Sequence, residues 1–386
     1  MPPYRRSCWG LAVAAVLVVA ACKESTGPQA HLSDPAGLSS DLQAVSGVLL
    51  SPMLASFGAV SGAAGSPAAA PSRFSALLRA APIGPPRTSS ALDGYSAARL
   101  RALRRSAATF SGGINASVVP PALLGTTWVW NTTTHAYEQD GSFTPAAPTD
   151  RVRIILYAVD PITGHIVEAP LTPTGFVDLV DESTTSPAVD RLHVIVSGGT
   201  PASPGTEYAN YTVSGQVTGN PATAFTATAA GFVSDGTHTL TFRATLAATQ
   251  LNTDNPDFQI DVTWDLSNPV IHVELHETHE LSDADHATFT LTEFSITSGV
   301  ESVSMSGTVI TVLSTGGGAV NLTIDVNGVP WARVYTNASG VWLRHADGSV
   351  LSPAEGQAFR DLYGLPAVIE SAILSLFSPC QSLMGA

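Results

Sequence analysis

Between Ala244 and Ala332 the chain carries 12 carboxylates and neither lysine nor arginine. Within that stretch His272, Glu274 and His276 are spaced two apart, and alternate side chains of a strand share a face. Together they offer two imidazoles and a carboxylate, a donor set suited to a transition metal. Asn252, Asp254 and Asp257 fall in one turn, and Asp283, Asp285 and His286 in another, with oxygen-rich spacing suited to calcium. A plainer reading stands beside this one: the same alternation puts the strand trio on a solvated face, and acidic turns are common. Other chemistries are missing their parts. There is no Gly-x-Ser-x-Gly elbow, and with Lys23 as the sole lysine there is no P-loop. His276-Glu277-Thr278-His279 is one residue shorter than the helical His-Glu-x-x-His zinc motif, and its context is a strand. The residues therefore point away from an enzyme and name no cofactor.

What must position these groups is a run of alternating strands from about Thr126 to His345. Phe258, Ile260, Val262, Trp264 and Leu266 alternate with Asp257, Gln259, Asp261, Thr263 and Asp265, which buries one face and wets the other. Leu240 to Leu246, Ile271 to Leu275 and Val320 to Val326 repeat the pattern. Asp235-Gly236 and Asn327-Gly328 supply tight hairpin turns between such runs. Trp128 and Trp130 share a face of the first strand, where large aromatics are expected as core anchors rather than a platform for sugar rings. Spaced apolar residues from Leu38 to Phe57 predict helix, broken at Pro52. At the other end Ser352-Pro353-Ala354-Glu355 has the form of a capping box with proline in the first turn. Phe359, Leu362 and Tyr363 form that helix's expected inner face. Val368 to Phe377 then reads as a further apolar helix lying across the sheet.

The first residues concern location. Arg5 and Arg6 precede an apolar run from Trp9 to Ala20 that is too short to span a membrane as a mature helix, so it reads as a signal peptide. Val19-Ala20-Ala21-Cys22 resembles the lipobox of bacterial lipoproteins. That resemblance implies that Cys22 is lipidated and becomes the mature amino terminus. Lys23, in place of the aspartate of an inner-membrane retention signal, favours the outer membrane. With Cys8 in the signal and Cys22 lipidated, Cys380 has no intramolecular disulfide partner. Charge is divided along the chain: residues 73–105 hold seven arginines against Asp93, whereas residues 106–386 hold 27 acidic residues against seven arginines. The basic segment reads either as a face packed on the acidic sheet or as one lying on anionic membrane. A formal net charge of -14 argues against nucleic acid as a partner.

The organisation expected is a signal peptide (1–21), a lipidated tether (22–31), a helical and Pro/Gly/Ala-rich region (32–125), an antiparallel β-meander (126–346) and a carboxy-terminal helical segment (352–378). The fold class is mainly β, a long curled antiparallel β-meander packed against N-terminal and C-terminal helices. In outline it is similar to the half-barrel carrier lipoproteins of the bacterial envelope. That likeness is architectural and implies an apolar or lipidic ligand between sheet and helix, with Val368, Ile369, Ile373, Leu376 and Phe377 as lining. The other reading is a ligand-free surface or periplasmic scaffold whose acidic face meets a protein partner or calcium. A transmembrane barrel is disfavoured by the lipobox and by a chain that ends in helix.

Overall fold

A computed structural model describes residues 30–49, 51–62 and 119–365, apart from 187, 220–222, 254–256, 282–284, 313–316 and 339. Its centre is one sheet of 16 strands. The first six are β1 (Thr127–Asn131), β2 (Ala136–Gln139), β3 (Arg151–Tyr157), β4 (Pro173–Asp181), β5 (Thr184–Thr185) and β6 (Ala188–Thr200). Five long strands follow: β7 (Ser203–Thr218), β8 (Ala224–Ser234), β9 (Thr239–Thr249), β10 (Asp257–Ser267) and β11 (Val270–Leu281). The sheet ends with β12 (His286–Ser298), β13 (Glu301–Val312), β14 (Gly318–Val326), β15 (Val329–Asn337) and β16 (Gly340–His345). From β6 to β16 every strand pairs antiparallel with the next, which is the expected meander.

The amino-terminal edge departs from it. β1 pairs antiparallel with β2 on one side and parallel with β3 on the other. The hairpin to β2 occupies one edge of β1, so the chain must return to the start of β1 before β3 can use the other. The amide of Ala147 donates to Thr127 Oγ1 at 3.2 Å, and that of Asp140 to the Thr127 carbonyl at 2.8 Å, holding the return loop there.

Alternation builds the inner face. Trp264 lies between Phe242 and Val273, and the row continues through Ile296, Val303 and Val326, all of them buried. Burial of each such side chain contributes roughly 1.5–3 kcal/mol. One irregularity preserves the face. In β12, Glu293 pairs with His276 and Leu291 with Glu277, so Thr292 is an extra residue. This bulge lets both Leu291 and Phe294 point inward although an odd step separates them. Turn chemistry is as the sequence indicates: Asn327 and Gly328 both adopt positive φ, at 51° and 74°.

Among the described residues three α-helices lie against the inner face: α1 (Pro35–Leu49), α2 (Pro52–Gly62) and α3 (353–365). Pro52 separates the first two as expected. Leu38, Leu42, Val45, Val48 and Phe57 are buried in the same core as the strands. The helix α1 packs on β8 and β9, and α2 on β3 and β4. Asp34 caps α1, accepting from the Gly37 amide at 2.8 Å. Serine and glutamate close the capping box of α3, with Ser352 N to Glu355 Oε2 at 2.9 Å and Glu355 N to Ser352 Oγ at 3.3 Å. Phe359 and Leu362 are buried and Tyr363 partly so. Among the described residues no helix is long and apolar enough to cross a membrane.

Candidate functional site

The histidines of β11 divide between the two faces of the sheet. His272, Glu274 and His276 stand on the outer face, as alternation requires, but the structure distributes them among different partners. His272 Nδ1 lies 2.6 Å from Asp265 and its Nε2 3.2 Å from Glu274, while His276 Nδ1 lies 2.7 Å from Asp261. The register explains the pairing, because His272 faces Asp265 and His276 faces Asp261 across β10. The hydrogen bond to Asp265 raises the pKa of the His272 imidazole; partial desolvation opposes it and Glu274 adds to it. Both nitrogens of His272 are thus engaged by carboxylates. Among the described residues no three His, Cys, Asp or Glu side chains form a group that could hold a metal ion. Of the two acidic turns, Asn252, Asp257, Asp285 and His286 are described, whereas Asp254 and Asp283 lie outside the described residues.

The same strand carries a second polar pair that reading the outer trio overlooks. Glu277 and His279 continue the inward row of Ile271, Val273 and Leu275. Their exposures are 1% and 0%. His279 Nε2 and Glu277 Oε1 are 2.5 Å apart. Glu277 sits between Ile260 of β10 and Leu291 of β12, and His279 between Phe258 and Phe289. The Phe289 ring meets the imidazole edge-on at 4.7 Å between centroids. The signal was available in the sequence, since odd-numbered positions of this run are the apolar ones up to Leu275 and the period carries on through 277 and 279. A charge-capable pair in such surroundings is held by its hydrogen bond, because burying either polar group alone is costly.

Other polar contacts brace the architecture. Arg153 forms a buried two-pronged pair with Asp178, at 2.7 Å from each oxygen, and its guanidinium lies over the Phe176 ring. Trp128 is buried and donates to Thr126 Oγ1 at 2.9 Å. Half-buried Trp130 donates to Glu168 at 2.7 Å and meets Tyr137 edge-on. Polar contacts join the helical segments to the sheet and to each other, among them His345 Nε2 to Glu355 of α3 at 3.5 Å. The amide and hydroxyl of Ser33 donate to Glu301 at 2.8 and 2.9 Å, Ser298 bonds to Asp41, and Ser39 bonds to Asp361 of α3. Cys22, the arginine-rich segment, and the expected lining Val368, Ile369, Ile373, Leu376 and Phe377 lie outside the described residues.

Compared with known proteins, the chain matches no family model, no curated protein and no solved structure.

Proposed function

We propose that this chain is a lipid-anchored protein of the bacterial cell envelope that binds an apolar or lipidic molecule between its sheet and its helices, without catalysing a reaction. The observation that carries this reading is the way the inner face is covered. An apolar surface, interrupted by the Glu277–His279 pair, runs across the strands, and α1, α2 and α3 lie on it through side chains such as Leu42, Val45, Phe57 and Leu362. Polar contacts with the sheet come from Ser33 just before α1, from Asp41 of α1 and from Glu355 of α3. In such an arrangement an acyl chain can take the place of helix side chains against the sheet with no loss of apolar contact. The lipobox at Cys22 supplies the anchor and the outer membrane is its expected location.

Native mass spectrometry of the full chain, expressed with its own leader in a bacterial host and released in mild detergent, tests this reading. The expected spectrum has acyl mass on the amino-terminal peptide and a separate lipid mass that is shed on activation. A processed chain that never carries a sheddable lipid, even after incubation with envelope lipids, leaves the scaffold reading in its place.

A further inference from the structure

The meander puts alternate turns at the same end of the sheet. The β6–β7, β8–β9, β10–β11, β12–β13 and β14–β15 turns form one rim, since Thr200 faces Ser203, Ser234 faces Thr239, Ser267 faces Val270, Ser298 faces Glu301 and Val326 faces Val329. Tyr157 facing Pro173 adds the β3–β4 loop to this rim, and Ala332 facing His345 adds the segment after β16.

Six large apolar side chains are exposed among the described residues, and the four most exposed are all here. Ile162 is 92% exposed, Val270 75%, Val300 99% and Val350 71%; Ile310 and Val341, at 41% and 43%, lie within β13 and β16. Turn geometry does not call for valine or isoleucine at such tips, which favour Gly, Asn, Asp, Ser and Pro. Val300 follows Gly299, whose φ of 59° makes the turn, and contributes nothing to the core.

The chain also enters at this rim. Ser33 bonds to Glu301, the neighbour of Val300, and the His31 ring lies 6.5 Å from that of His345. Only Lys23 to Leu32, ten residues, separate Cys22 from Ser33, and a chain of that length reaches at most about 35 Å. We propose that this rim rests on the bilayer surface, with Ile162, Val270, Val300 and Val350 set into the headgroup layer as an attachment additional to the anchor. The inference rests on the reading of Cys22 as that anchor. Apolar tips strengthen membrane binding that an acyl chain alone leaves reversible. Asp160, Asp235 and Asp347 share the rim, so the surface that fits is zwitterionic rather than anionic.

The test uses the full chain with Cys380→Ser, carrying in turn Val270→Cys, Val300→Cys or, at the opposite rim, Asn252→Cys. Each is labelled with an environment-sensitive fluorophore and reconstituted in phosphatidylcholine–phosphatidylethanolamine vesicles. All three sites are exposed, so folding is retained. Labels at Val270 and Val300 are expected to shift to the blue and brighten several-fold, while the label at Asn252 stays at its value in buffer. Equal emission from both rims, or a shift confined to Asn252, overturns the proposal. Intact mass of the same samples separates it from the anchor. Acyl mass at Cys22 with silent rim labels refutes the rim alone. Blue-shifted labels without acyl mass, with peptide mass placing the fluorophore on the introduced cysteine and not on Cys22, refute the anchor and keep the rim.

Discussion

Replacing His279 by Phe isolates the polar term of the buried pair. The ring contact with Phe289 survives the change, whereas the partner of Glu277 Oε1 is lost. Glu277 is then left without that partner in the core. Removing one hydrogen-bond partner of a buried polar group costs about 1–3 kcal/mol, and more where the group is charged. We therefore expect a loss of about 3 kcal/mol, a large part of the ~5–15 kcal/mol that holds a typical domain folded. Urea denaturation should show it as a lower midpoint with unchanged slope. The internal control is His272→Phe on the same strand, whose side chain is 39% exposed and whose pairs face water; it should cost no more than about 1 kcal/mol. The pair Glu277→Leu with His279→Phe should recover much of the loss, giving a coupling energy of about 2 kcal/mol. Additivity of the two single changes to within about 0.5 kcal/mol, or equal costs at His279 and His272, would refute the claim that the bond between them matters.

Gly231→Ala should cost more than about 2 kcal/mol, measured by the same denaturation, because its φ is 151° and an added Cβ would lie 2.2 Å from the Asn210 carbonyl oxygen and 2.4 Å from Tyr211 Cα. Ser352→Ala removes the cap of α3 and should cost about 1 kcal/mol. His272 should titrate above the ordinary histidine value of 6.5 by NMR and fall back in Asp265→Asn; being raised on folding, it contributes stability that is complete below pH 6.5 and lost as pH rises through its folded value. Partial burial pushes the Asp235 carboxyl up, but hydrogen bonds from the His238 ring and from the His238 and Thr237 amides outweigh it and bring the pKa to about 2. Its stabilisation is therefore present above the ordinary aspartate value of 3.8 and lost as pH falls towards 2, and Asp235→Asn should flatten that part of an acid-denaturation curve.

Alternation made the sheet legible, because the period of a half-buried strand is written in every second residue. The runs through Phe258 and Val320 become β10 and β14, and the capping residues mark the start of α3. The parallel contact of β1 with β3 was not legible, since it depends on where the 140–150 loop crosses rather than on any local pattern. Ile271, Val273 and Leu275 announce an inward face, yet Glu277 and His279, which read in sequence only as part of an incomplete zinc motif, lie on that same face, where side-chain polarity and strand phase give opposite answers. Phase prevails, and the hydrogen bond between the two offsets part of the cost of burying them. The outer trio was placed correctly on one face, but its pairing with Asp261 and Asp265 requires the register between strands, which one strand's sequence does not contain.

Trp264, at the centre of the inner face, offers the most direct test of the claim that a lipid lodges between sheet and helices. The full processed chain would be titrated with a dibrominated fatty acid, whose bromines quench only tryptophans they approach closely. Saturable quenching that falls substantially in Trp264→Phe is the expected result. No quenching, or quenching of the same size in both proteins, would contradict the account and leave the inner face as core alone.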